Sequence, residues 1–98
     1  MIDPDEFYQV NSENFVIRRM GNEMVLVPLA NSVADMTSVI ILNEVGSDIL
    51  ELLEEPANKD ILLEKLLEKY DVNREILDSD IQLFLKNAYN KNVIRKVK

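Results

Sequence analysis

SVIILNEVGSDILELLEE, residues 38–55, runs a β-branched segment straight into an amphipathic helix. Side chains alternate between the two faces of a strand, so Val39 and Ile41 point one way and Ile40 and Leu42 the other. A strand that covers helices on one face only should alternate apolar with polar residues. Residues 39–42 are apolar on both faces. Asn43 suits the N-cap of the following helix, because its side chain can accept from a free N–H of the first turn. Over residues 44–55, Val45, Ile49, Leu52 and Leu53 fall on one side, with Asp48, Glu51 and Glu54 on the other. Pro56 ends that helix.

Upstream, FVIRRM (15–20) and EMVLVPL (23–29) read as two strands joined by Gly21-Asn22. Glycine at the first position of a two-residue loop fits a type II′ hairpin, which needs φ > 0 there. Pro28 donates no ladder hydrogen bond and belongs at a strand end or an edge. Residues 1–14 carry Phe7, Tyr8 and Val10 as their sizeable apolar groups and are expected to form a loosely packed arm. Residues 30–37 read as a polar connection to the third strand, 38–42.

Downstream, a second helix follows Asn58, with Leu63, Leu66, Leu67 and Tyr70 as its apolar stripe. A third restarts at DVNREILDSD and runs to about Asn90, and NVIRKVK closes the chain as a short strand with a basic tail. The expected fold is α+β: a three-stranded antiparallel sheet followed by three helices, like a winged helix-turn-helix. The expected division is an arm at 1–14, a folded domain at 15–94 and a tail at 95–98.

Composition narrows the chemistry. The 98 residues include no Cys and no His, which removes disulfides, thiolate chemistry, zinc ligation and imidazole acid–base work. No nucleophile–base pair stands out, so an enzyme is not expected, and neither is a cofactor. Eighteen acidic residues against eleven basic ones give a net charge of −7, which disfavours nucleic acid. The acidic clusters ELLEE and DSD lack the companions of a metal site and read as solvent-facing, Asp78 and Asp80 included. The acidic N-terminal stretch does not resemble a signal peptide, and no apolar run is long enough to cross a bilayer, so the expectation is cytoplasmic.

The third helix has two apolar sides. Leu77, Ile81, Phe84, Leu85 and Ala88 form its core stripe at about 100° per residue. Ile76 and Leu83 fall together elsewhere, with Asp80 and Asn87 beside them, as a groove wall would need. Lys86 and Lys91 are available to acidic residues of a partner. An edge strand with free N–H and C=O groups can take up an extended peptide by strand addition. Either pair, Ile40 with Leu42 or Val39 with Ile41, can supply apolar ground for it. The competing reading has the arm cover the second face through Phe7 and Tyr8.

From Val25 to Ile94 the chain resembles the PqqD family, the coenzyme PQQ synthesis protein D group. The resemblance rests on Leu42-Asn43, Ile49-Leu50, Leu52-Leu53, Tyr70, Asp80-Ile81, Phe84-Leu85 and Ile94. Three positions depart from the family pattern, all at caps or turns: Glu55-Pro56 and Asn92 stand where glycine is usual, and Asn58 or the neighbouring Lys59 where Thr or Ser is usual. The resemblance implies a non-catalytic module that captures the leader of a ribosomally made precursor peptide and presents it to a modifying enzyme, often a radical SAM protein. It implies that the leader adds as a strand along the third strand, in a groove bordered by the third helix. The residues expected to bind it are Val39, Ile40, Ile41, Leu42, Ile76, Asp80, Leu83 and Asn87. The alternative is a winged-helix DNA-binding or regulatory domain. Against it, the start of the third helix holds Arg74 with Glu75, Asp78 and Asp80, a net negative set.

Overall fold

In the computed structural model, residues 5–29 and 39–97 are described. Gly21 takes φ 63° and joins strands β2 (Phe15–Met20) and β3 (Glu23–Pro28) through a two-residue turn, with Met20 paired to Glu23. Positive φ at the first turn position alone is the signature expected of a II′ hairpin. Pro28 is the last residue of β3, where its missing N–H breaks no ladder. The third strand, β4 (Ile40–Leu42), pairs antiparallel with β3 through Leu26–Ile40, Val25–Ile41 and Met24–Leu42. The polar connection at 30–37 and Ser38 lie outside the described residues.

Three helices follow: α1 (Glu44–Leu52), α2 (Lys59–Lys69) and α3 (Arg74–Asn90). Each starts at an asparagine whose side chain accepts from the first turn: Asn43 from Gly46, Asn58 from Ile61, and Asn73 from Glu75 and Ile76. α1 stops earlier than expected, with Leu53 as its C-cap. Residues 53–55 turn instead of winding on, consistent with the steric bar that Pro56 places on a helical residue before it. The core joins Met24 and Leu26 of the sheet to Ile49, Leu50 and Leu53 of α1, Leu62, Leu63 and Leu66 of α2, and Leu77, Ile81 and Leu85 of α3. This is the expected α+β architecture, with two further strands.

Those strands correct the reading of residues 7–10 as a loose arm. β1 (Phe7–Val10) pairs antiparallel with β5 (Ile94–Val97) in a separate two-stranded sheet, and Tyr8 is only 1% exposed. Tyr8 also exchanges backbone hydrogen bonds with Ala57 (2.9 and 3.0 Å), and Val10 N–H donates to Leu53 C=O (2.9 Å). The Tyr8 ring meets Tyr89 of α3 edge-on, with centroids 6.2 Å apart. Phe7–Val10 therefore packs beside the α1–α2 junction, and it does not cover the outer face of β4.

The turn after α3 explains how asparagine replaces a glycine. Asn92 has φ 62°, the left-handed conformation that asparagine tolerates better than most residues. Val93 N–H donates to Ala88 C=O (2.9 Å) and Asn92 N–H to Tyr89 C=O (3.1 Å), the paired bonds of a Schellman motif. Asn11 clasps this turn from β1's side: its amide donates to Asn92 C=O and its backbone N–H to Val93 C=O.

Candidate peptide-binding groove

Strand order in the sheet is β2-β3-β4, so β4 pairs on one side only among the described residues. Its outer margin therefore carries main-chain N–H and C=O groups directed away from β3. Ile40 and Leu42 face the helices and are partly buried against the core, while Val39 and Ile41 face outward and are 51% and 64% exposed. Register and burial thus decide which pair faces inward, a point left open by two equally apolar faces.

Beside that margin lies a groove in two compartments. One, about 200 Å³, is bounded by Ile40, Ile41 and Leu42 on the strand side and by Ala88, Lys91 and Val93 on the helix side. The other, about 330 Å³, continues past Asn43, Val45 and Gly46 to Asp80 and Leu83. Phe84 and Asn87 line both, so the compartments form one channel between β4–α1 and α3. Asp80, Leu83 and Asn87 line the α3 side of this compartment, and Leu83 is 59% exposed. Ile76 does not line either compartment; it sits nearer the start of α3, 62% exposed.

Several lining residues were not anticipated. Phe84 was assigned to the core stripe, and it does pack on the core, but it also forms the floor shared by both compartments. Val45, Ala88 and Val93 contribute apolar wall. Gly46 is the most instructive omission. A Cβ built there would stand 3.3 Å from Phe84 Cε1 and from Asn43 Oδ1, so the missing side chain lets α1 approach α3 closely at the groove floor. A glycine in the first turn of a helix, where it weakens helix formation, was the available signal.

Ion pairs fix the walls. Asp48 of α1 accepts from Lys69 (2.7 Å), from the Tyr70 hydroxyl and from Arg19 of β2 (3.2 Å), binding α1 to the sheet and to the end of α2. Helical periodicity puts Asp48 on the polar side of α1, yet it is the hub of this network, its side chain 13% exposed. Burial acts to raise the Asp48 pKa, but the hydrogen bonds from Lys69, Tyr70 and Arg19 together outweigh it and hold the carboxyl below its ordinary value. Burial and then the neighbouring Asp48 carboxylate push the Tyr70 phenol up to about 12. Asp78, also expected in solvent, is instead paired with Lys59 at 2.6 Å and tied to Gln82, linking α2 to α3. That lysine holds the Asp78 carboxyl low, and Asp78 in turn raises Lys59.

Among the described residues, no helix is long and apolar enough to cross a membrane. No curated protein matches the chain. A solved structure, described as TbiB1 in complex with the TbiA(beta) leader peptide, superposes with a TM-score of 0.73 at 26% identity, covering 92% of this chain and 98% of that one. The family model for coenzyme PQQ synthesis protein D (PqqD) matches residues 23–94, which span β3, β4, all three helices and the first residue of β5. The chain belongs to the PqqD family.

Proposed function

We propose that this protein is a leader-peptide recognition module: it takes up an extended segment of a ribosomally made precursor along the free margin of β4 and presents it to a modifying enzyme. The observation that carries the reading is the margin of β4, unpaired among the described residues, beside an apolar channel walled by α3. Main-chain hydrogen bonds to the strand would hold the peptide, and alternate side chains would enter the channel. Ile40, Leu42, Phe84 and Leu83 are its apolar contacts. Val39 and Ile41 would flank the added strand on the outer face, and Asn87, which lines both compartments, would meet the peptide with its side-chain amide. Ile76 serves only a peptide that continues past Leu83 toward the start of α3. The solved relative supports this reading, because its chain was captured with a leader peptide.

The module acts by binding, with no reaction of its own and no cofactor. Chemistry belongs to a partner enzyme, radical SAM or other, in PQQ synthesis or a related peptide pathway, and the setting is the cytoplasm. A short reading frame encoded beside a modifying enzyme near this gene would supply the test peptide. Titrating its synthetic leader into the isotope-labelled protein should move the amide resonances of residues 39–43 and 80–91 before any others. Shifts confined to β1, β5 or α2 would refute the site, and no shifts at millimolar peptide would refute the function.

A further inference from the structure

The channel is electrically polar along its length. Asp80 lines one end and Lys91 the other, on the same helix. Ten residues of α3 lie between Asp80 and its C-cap Lys91, and the eleven steps rise about 16 Å at 1.5 Å per residue. Several nearby charges are already engaged. Asp78 is held by Lys59; Arg95 bonds Val10 C=O, Asn11 and Gln9; and Lys96 pairs with Glu6. Neither Asp80 nor Lys91 has an ion-pair partner among the described residues. Two charges of opposite sign, unpaired among the described residues, thus bracket an apolar floor made by Phe84.

β4 runs from the Lys91 end toward the Asp80 end, since Ile40 shares a compartment with Lys91 and Asn43 shares the other with Asp80. Every pairing in this sheet is antiparallel. A peptide added in the same sense enters beside Asp80 and leaves beside Lys91. Resting on the peptide-binding reading above, we infer that the channel selects leaders by charge order: a basic residue, then apolar residues at alternate positions, then an acidic residue toward the C-terminus. At about 3.3 Å per residue, the 16 Å between the two charges spans about five strand residues. The basic and acidic residues are therefore four to six positions apart, with the apolar side chains between them turned toward Phe84.

The test is selection of displayed random dodecapeptides on the intact 98-residue protein, repeated on the charge-swapped double variant Asp80→Lys/Lys91→Glu. Both substitutions are at exposed positions, and circular dichroism would verify the fold. The expected result is enrichment of basic–apolar–acidic peptides at the stated spacing, and of the inverted order on the swapped variant. Synthetic peptides of matched and inverted order should differ roughly tenfold in Kd, as two exposed charge pairs change from attraction to repulsion. The difference should shrink in high salt. Enriched peptides with no charge order, or with an order unchanged by the swap, would overturn this inference and leave peptide binding intact. Failure to enrich any peptide on either protein would overturn both.

Discussion

Replacing Leu83 with Asp separates binding from folding. Leu83 projects from α3 at the channel wall and is 59% exposed, so it lends the free protein little. Burying a whole leucine side chain is worth about 1.5–3 kcal/mol, and the exposed share that a bound peptide would cover is then worth about 1–2 kcal/mol. Truncation to Ala should therefore weaken leader binding roughly fivefold to thirtyfold. The Asp variant should lose more, because its carboxylate must shed water against an apolar peptide and lies one turn from Asp80. The assay is fluorescence polarisation of a labelled leader, run alongside thermal unfolding of each variant. An unchanged melting temperature with binding lost in the order Leu, Ala, Asp is the expected result. If Leu83→Asp binds within twofold of the parent while still folded, the α3 wall does not touch the peptide and the groove assignment fails.

Three further outcomes test the fold that holds the site. Tyr8→Ala removes a fully buried ring and should cost about 3–5 kcal/mol by chemical denaturation, a large share of the stability of a small domain; a loss under 1 kcal/mol would mean β1 is a dispensable arm. Asn92→Ala should cost about 1 kcal/mol, since Ala tolerates φ 62° worse than Asn, while Asn92→Gly should be neutral or slightly stabilising. For Asp48, whose folded pKa lies below its ordinary value of 3.8, the network's contribution is fully present above that value and is lost as pH falls through the folded pKa. Asp48→Asn should accordingly flatten the fall of melting temperature below pH 4, and an unchanged acid limb would show that the carboxyl is not held low.

Local chemistry was legible in the sequence wherever a single residue type does a single job. Gly21 turned the hairpin, Asn43 capped α1, Asn58 preceded α2, and the spacing of Leu77, Ile81 and Leu85 put α3 on the core. The errors came from contacts between distant parts of the chain. Nothing local in FYQV distinguishes a loose arm from a strand, because the difference is made by partners at Ile94–Val97 and Ala57. Asp48 looked like any acidic residue on the polar side of an amphipathic helix, and only Arg19 and Lys69 make it a hub. Phe84 was assigned a single role because periodicity sorts a helix into faces, whereas a side chain at the boundary of two faces can serve both.

A receptor strand of three residues sets a limit on how tightly such a module binds. About three main-chain hydrogen bonds at ~1 kcal/mol each and two or three apolar side chains at ~1.5–3 kcal/mol each give a gross gain of roughly 6–12 kcal/mol. Association costs at least ~4 kcal/mol, which leaves at most about 8 kcal/mol, or micromolar affinity. The backbone share of that gain is available to any extended chain, since it reads no side chain. Discrimination would then come from what lines the channel: apolar surface around Phe84, which favours many sequences, and the charges of Asp80 and Lys91, which favour few. If the channel takes up a leader as proposed, the residues that distinguish one leader from another are accordingly the polar ones at its ends, and the apolar floor between them would supply affinity that most hydrophobic leaders could share.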